Sequence, residues 1–377
     1  MPNRWPTVPL GNLVEIRYGK AFHAEDRPAD GKFPVYGSNG IVGTCYEPLV
    51  SEPTIVIGRK GAIGEAHLAE HGCWPIDTAF YTVTKDVNRV NLRYLHKWLA
   101  AVDLKRLAIT STIPGINRDV LAAQPVKLPP LTEQERIVGL LDEADALRQR
   151  RAQADRRTAD FIPALFHEMF GDPGKNPKRW PVVAFPDLCD GKYGVKAGPF
   201  GSSLKKECYT TSGYRVYGQE QVIAGDFTIG DYYISKEKFE ALRACEVKAG
   251  DVLISLVGTF GKVVVVPDGI EPGIINPRLL KISPKKKKVD SVFLATLLQQ
   301  ASVQSLLLQM SHGGTMGILN AGLLKQLRVP LPPVRLQREF AERVAEVRAL
   351  ETAQAQSRQR LEALFASLLD RAFQGEL

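Results

Sequence analysis

Apolar residues follow two rhythms along this chain. The first is short runs of β-branched and aromatic residues: "TIVIG" (54–58), "AFYTVT" (79–84), "YRVYGQEQVI" (214–223), "DVLISLV" (251–257), "KVVVVP" (262–267) and "RLLKIS" (278–283). Gly, Pro, Asn and Asp separate these runs, which predicts strand-rich, loop-rich domains. Two interludes, 91–108 and 292–310, have helical spacing. The second rhythm begins after Leu-Pro-Pro at 128–130 and again at 331–333. Proline cannot continue a hydrogen-bonded ladder. A helical stripe then runs through Ile137, Leu140, Leu141, Ala144 and Leu147 and resumes at Phe161, Leu165 and Met169. Its counterpart runs through Phe340, Val344, Val347 and Leu350, then Leu361, Leu364, Phe365, Leu368 and Phe373. Each helix spans roughly 38 residues, about 57 Å. Thr132 with Glu135 fits a capping box for the first helix, whereas Arg335 offers the second no capping hydroxyl. Pro163 should kink or break the first.

The two helices belong to a long repeat. At a single offset of 203 residues Thr112, Asn117, Leu121 and Val126 match Thr315, Asn320, Leu324 and Val329. The match continues from Leu147, Arg157 and Phe170 to Leu350, Arg360 and Phe373. Upstream the offset drifts: "RWP" (4–6) recurs at 179–181, "IVIGRKGAIG" (55–64) resembles "VLISLVGTFG" (252–261), and "PIDTAFYTV" (75–83) has the outline of "IINPRLLKI" (274–282). The period is far longer than that of a solenoid. The chain reads as a duplicated two-part module of α+β class. The expected divisions are a strand-rich domain at 1–127, a long helical region at 128–171, a second strand-rich domain at 172–330 and a second helical region at 331–377. A long helix with one narrow apolar stripe needs a partner. The two helices are expected to pair as an antiparallel coiled coil; the alternative is that each packs on its own domain.

At 377 residues the chain exceeds one ordinary core. Its 49 Lys and Arg against 41 Asp and Glu give a net charge of +8, a mild lean towards a polyanionic partner. No apolar run reaches membrane-spanning length, and Met-Pro-Asn-Arg-Trp-Pro lacks a signal peptide's apolar core. Five widely spaced cysteines without Cys-x-x-Cys read as reduced thiols. A cytoplasmic protein with no membrane contact is expected.

The order strand-rich domain, Leu-Pro-Pro, long helix, twice over, resembles the specificity subunit of type I restriction–modification enzymes. "FPVYGSNGIVGTCYEP" with "TIVIGRKGAIG" is similar to one common opening of that family's target-recognition domains, and "GPFGSSLKKE" (198–207) to another. "STIPGINRDVLAAQPVKLPPLTEQERIV" resembles the family's junction into its spacer helix. The resemblance implies that each domain reads one half of a split site in double-stranded DNA. It implies that the helices fix the distance between halves and dock two methylation subunits. S-adenosylmethionine is then expected on the methylation partner, with no cofactor bound by this chain, and a motor-and-nuclease restriction subunit as a further partner of the complex.

Short polar side chains and cations between glycines can approach base edges or phosphates. In the first domain Tyr36, Ser38 and Asn39 in "YGSNG" and Arg59 and Lys60 in "GRKG" are the candidates. In the second they are Ser202, Ser203, Lys205, Lys206, Gln219, Gln221 and Arg278. "KKKK" (285–288) reads as a solvated loop within reach of phosphate, and the recurring Thr112, Asn117, Thr315 and Asn320 as structural turns or helix starts. The arginines at 148–157 read first as a solvated helix face. No cofactor-binding Gly-rich loop or Walker loop is present. His67, His71 and Cys73 are three potential metal ligands without a fourth. No catalytic residue is expected. Two other classes stay open: a DNA-modifying or DNA-cleaving enzyme with an unrecognised site, and a coiled-coil scaffold without DNA affinity.

Overall fold

The structure is a computed structural model that describes residues 5–109, 115–200, 203–256, 262–311 and 320–376. The chain divides into two compact units, residues 1–153 with 355–377 and residues 154–354. Each combines a mixed α/β body with parts of both long helices.

In the first unit a four-stranded antiparallel sheet has the order Val14–Tyr18, Ala79–Thr84, Thr54–Gly58, Ala66–Ala69. Thr54–Gly58 is buried along its whole length, as expected of an unbroken β-branched run in a central position. A second sheet joins Gly40–Cys45 antiparallel to Phe33–Gly37, which runs parallel to Trp74–Pro75. The second unit repeats this plan. Its first sheet has the order Val195–Ala197, Leu279–Ile282, Val252–Ser255, Val263–Val265, again all antiparallel. Its other sheet contains the parallel pair Tyr214–Tyr217 and Gly273–Ile275. The run "YRVYGQEQVI" is a strand only to Tyr217; Gln219–Ala224 is a short helix.

Each body is closed at its base by the same device. Thr7–Pro9 pairs with Pro125–Lys127, and Val182–Ala184 with Arg328–Pro330. The Leu128 N–H donates to the Pro6 carbonyl at 2.9 Å, and the Leu331 N–H to the Pro181 carbonyl at 2.8 Å. The recurring "RWP" and Leu-Pro-Pro therefore mark the two ends of one closure. Asn117 and Asn320 cap the short helices that lead into it, accepting at 2.7 Å from the Asp119 N–H and at 3.0 Å from the Leu323 N–H. Thr112 and Thr315 lie outside the described residues.

The first long helix runs Leu131–Ala159, and Phe161–Phe170 follows as a separate helix. The break falls one turn before Pro163, whose ring and missing N–H cannot extend an incoming helix. Leu131 already belongs to the helix, so Thr132 sits inside the first turn and not at the expected capping position. The second long helix, Val334–Gln374, is unbroken over 41 residues.

Both helices enter the cores. In the first unit Ile137, Val138 and Leu141 are buried with Leu10, Tyr94 and Leu95, and Phe365, Leu368, Ala372 and Phe373 pack on the same cluster. In the second unit Phe166 and Phe170 meet Phe340 and Phe293 at centroid separations of 4.9–5.7 Å. Such aromatic pairs add about 0.5–1.5 kcal/mol each beyond area burial. Direct contacts between the long helices occur inside each unit. In the first, Arg148 bonds Glu362 at 2.7 Å and lies over the Phe365 ring. In the second, the Gln354 amide donates to the Thr158 hydroxyl at 3.0 Å. Arg148 is thus a helix-to-helix cation and not part of a freely solvated face.

Candidate nucleic-acid interface

In the first unit the two loops singled out by sequence converge on one backbone atom. The Thr78 carbonyl accepts from the Ser38 hydroxyl at 2.6 Å, the Arg59 N–H at 3.0 Å and the Lys60 N–H at 3.2 Å. Gly58 makes the approach possible, because a Cβ there would run into the carbonyl oxygens of Ala62 and Ser38. Ser38 is buried, and its hydroxyl is spent on this bond. Asn39 stays exposed at the tip of the hairpin between Phe33–Gly37 and Gly40–Cys45. The Arg59 guanidinium donates to the Asp77 carbonyl at 2.9 Å and lies 5.0 Å from the Tyr18 ring centroid. Arg118 covers the same ring at 5.6 Å. Tyr18 is 50% exposed, so an aromatic face between two arginines, with exposed Lys60 nearby in sequence, forms a cationic surface that can stack and fork hydrogen bonds.

The second unit places a concavity of about 900 Å³ where three of its candidates meet: Lys206, Gln219 and Arg278. Tyr209, Tyr232 and Asn276 complete the wall, and the two tyrosine rings stand 5.1 Å apart. Arg278 is exposed, and its backbone N–H is fixed by the Asn276 side chain at 2.8 Å. Arg215 works behind the wall. Buried, it pairs with Glu271 and donates to the carbonyls of Thr228, Ile229 and Gly230, so it holds the loop that supplies one edge. Ser203 and Lys205 are exposed beside this site in sequence, and Ser202 lies outside the described residues.

Besides Ser38, two candidates point inward. The Tyr36 side chain belongs to a buried cluster with Val56 and Cys73, and burial pushes its phenol above the usual range. Gln221 is 1% exposed, and its amide is used at both ends. It accepts from the Gly218 N–H at 2.7 Å and donates to the Ile229 carbonyl at 2.8 Å. A glutamine occupied in this way caps a helix and has no free edge for adenine.

What sequence reasoning missed is an equivalence inside the candidate set. "VYG" occurs at 35–37 and at 216–218. The Tyr36 carbonyl accepts from the Ile76 N–H at 2.9 Å, and the Tyr217 carbonyl from the Asn276 N–H at 2.8 Å. Ser38 and Asn39 therefore occupy the same place in one body as Gln219 and Glu220 in the other. Gly19 and Gly198 are equivalent too. Their N–H groups bond Ala79 and Leu279, and a Cβ on either would collide with the carbonyl of Ile76 or Asn276. Tyr18, Arg118, Tyr209 and Tyr232 carry no motif: Tyr18 ends a strand, Tyr209 begins one, Tyr232 directly precedes one and Arg118 opens a short helix, places that only the fold reveals.

The four lysines Lys285–Lys288 line a separate concavity of about 820 Å³ in the second unit, with Lys192, Lys248 and Arg243. Among the described residues no three His, Cys, Asp or Glu side chains form a metal site. Cys73, one of the three potential ligands, is buried, and desolvation pushes its thiol up to about 12. No single helix among the described residues is long and apolar enough to cross a membrane.

Comparison with known proteins places this geometry. The crystal structure of the type I restriction–modification S subunit from M. genitalium superposes with a TM-score of 0.61 at 16% identity, covering 99% of this chain and 96% of that one. A chain from a structure addressing complex assembly and conformational transition of the type I system gives 0.63 at 18% identity, over 100% and 99% of the two chains. These likenesses establish the fold. In sequence the chain is 22% identical over 407 residues to the MjaVIII specificity subunit of Methanocaldococcus jannaschii, covering 100% of this chain and 94% of the relative. It is 32% identical over 148 residues to the EcoBI specificity subunit of Escherichia coli, covering 38% and 31%. The family model described as type I restriction modification DNA specificity domain matches residues 2–154 and 187–363. Most of the chain lies within those two matches, so it belongs to the type I restriction–modification specificity family, whose task is recognition of a DNA sequence.

Proposed function

We propose that the two units read the two halves of a bipartite, asymmetric target in double-stranded DNA, and that this chain performs no chemistry itself. The observation that carries the reading is one hydrogen-bond skeleton bearing unlike exposed side chains at matching places. A common skeleton supports two readers, and unlike surfaces support two different half-sites. In the first half the contacting groups are Asn39, Arg59, Lys60, Tyr18 and Arg118. In the second they are Lys206, Gln219 and Arg278, with Ser203 and Lys205 towards phosphate. Tyr36, Ser38 and Gln221 shape the surface from beneath.

The long helices serve as an antiparallel coiled coil that sets half-site spacing and docks two methylation subunits. Pairing of the helices is supported by Arg148 with Glu362 inside the first unit and by Thr158 with Gln354 inside the second. Docking is supported by apolar side chains left in solvent at matching repeat positions. Leu147 and Leu350 are 50% and 45% exposed, and Phe161 and Leu364 are 49% and 54% exposed. S-adenosylmethionine and adenine methylation belong to those partners, and a restriction subunit completes the nuclease form.

The test is adenine methylation mapped across the host genome with and without this gene. Loss of methylation at one split motif is expected; an unchanged pattern in a host that makes both this chain and its methylation partner refutes the reading. Insertion of one helical turn near residue 155 should lengthen the gap between halves.

A further inference from the structure

Each long helix carries a glutamine as its fourth residue, Gln134 and Gln337, and both are fully buried. Their amides make the same three bonds. Gln134 accepts from the Asn91 N–H at 2.8 Å and donates to the carbonyls of Arg89 and Pro129, each at 2.9 Å. Gln337 accepts from the Asp290 N–H at 2.9 Å and donates to the carbonyls of Lys288 at 3.3 Å and Pro332 at 2.7 Å. Asn91 and Asp290 are themselves side-chain caps of Leu92–Ala101 and Ser291–Gln299. One amide thus joins three segments: the Pro-Pro lead-in, the cap of a recognition-domain helix and the root of the spacer. Both amide hydrogens are used, which fixes the orientation of the carboxamide.

We infer that Gln134 and Gln337 are positioning residues that set the angle at which each recognition domain meets its spacer helix, and so the gap at which two half-sites can be read. The inference rests on the split-site reading above. Its logic is that of a lever. A helix of 29 residues is about 43 Å long, so a tilt of about 5° at its root moves the far end by about 4 Å. That displacement is about one base-pair rise of 3.4 Å. A clamp of three directional bonds in a dry site resists such tilting where a merely apolar contact would let the helix pivot. The bodies around the clamp differ in sequence, yet its bonds are the same in both, as expected of a device that serves the spacing and not the bases.

The experiment maps adenine methylation genome-wide in hosts carrying the wild-type chain, Gln134→Leu or Gln337→Leu. Leucine keeps the volume and removes all three bonds. The wild-type chain is expected to give one gap length. Each variant is expected to keep both half-sites and to raise methylation at gaps one base pair longer or shorter by about tenfold, since ångström-scale positioning controls rates on the order of 100-fold. Gln134→Glu, which keeps the accepting oxygen and sets a second acceptor against the Arg89 and Pro129 carbonyls, should show the same spread. An unchanged single gap at normal protein level overturns the inference, and so does weaker methylation at an unchanged gap, the mark of a purely structural role. Where the leucine variants fail to accumulate, native-state hydrogen exchange of the wild-type chain decides. The Asn91 and Asp290 amides must exchange only through global unfolding, and exchange by local opening overturns the clamp. A wild-type methylome with no split motif refutes the underlying reading; a sharp wild-type gap that both variants keep refutes the clamp alone.

Discussion

In the first recognition domain the residue after the central strand is Arg59, and its N–H bonds the Thr78 carbonyl; in the second the same bond joins Leu256 to Arg278. The cation has changed sides while the bond has stayed. The same holds where "VYG" leads into a two-residue hairpin turn in one domain and a helical turn in the other. A backbone hydrogen bond does not depend on the side chain of either partner, so this skeleton can persist while the exposed groups diverge. The comparison teaches where to look for specificity: at side chains carried on conserved bonds, and not at the bonds.

Four measurements would break or sharpen that contrast. Exchanging residues 1–125 for those of a relative should replace one half of the methylated motif completely and leave the other intact; a change in both halves would end the idea of independent readers. Next in size are Gly19→Ala and Gly198→Ala, which force a Cβ into a backbone carbonyl. Overpacking of that kind costs about 1–3 kcal/mol, read as a drop in thermal midpoint, and should silence one half-site each. Arg59→Ala and Arg278→Ala come third. Loss of a bidentate base contact costs about 1–3 kcal/mol of discrimination, confined to the half-site of the mutated domain, and titration against half-site variants checks it. The smallest effect is a pH dependence carried by one histidine of the first domain. Burial holds the His96 imidazole below its usual range, although its Nε2–H donates to the Ala66 carbonyl at 3.1 Å. A depressed histidine is neutral in the fold and takes up its proton first in the unfolded chain. Stability from this site is therefore present above about pH 6.5 and lost as pH falls below it. Melting curves from pH 7.5 to 5 should flatten in His96→Gln.

Much of this fold could be read in the sequence because two signals coincide. Leu-Pro-Pro stops a strand and a 3.6-residue stripe begins, so both long helices are legible, as is the break before Pro163. "TIVIG" and "AFYTVT" are strands over the predicted residues because β-branched runs between glycines and polar residues leave little choice. The site was less legible. Residue type says what a side chain can do, and only packing says which way it faces. Tyr36 and Gln221 have the chemistry of DNA contacts and the orientation of core residues. Gln134 and Gln337 carry no local signal at all, because nothing near them in sequence reveals that a distant helix cap delivers its N–H to the amide. Tyr18 gains its role only in the fold, where Arg59 and Arg118, remote in sequence, meet on its ring.

The first unit takes its last piece from the far end of the chain: Phe365, Leu368, Ala372 and Phe373 cover a core otherwise built from residues before 153. During synthesis the first recognition domain must therefore wait, with part of its apolar surface uncovered, until residues 355–377 have left the ribosome. A message cut short after the second domain would yield a first domain that cannot close, a target for proteases and not a half-competent reader. Synthesis of residues 355–377 is thereby a condition of completing a core begun more than two hundred residues earlier.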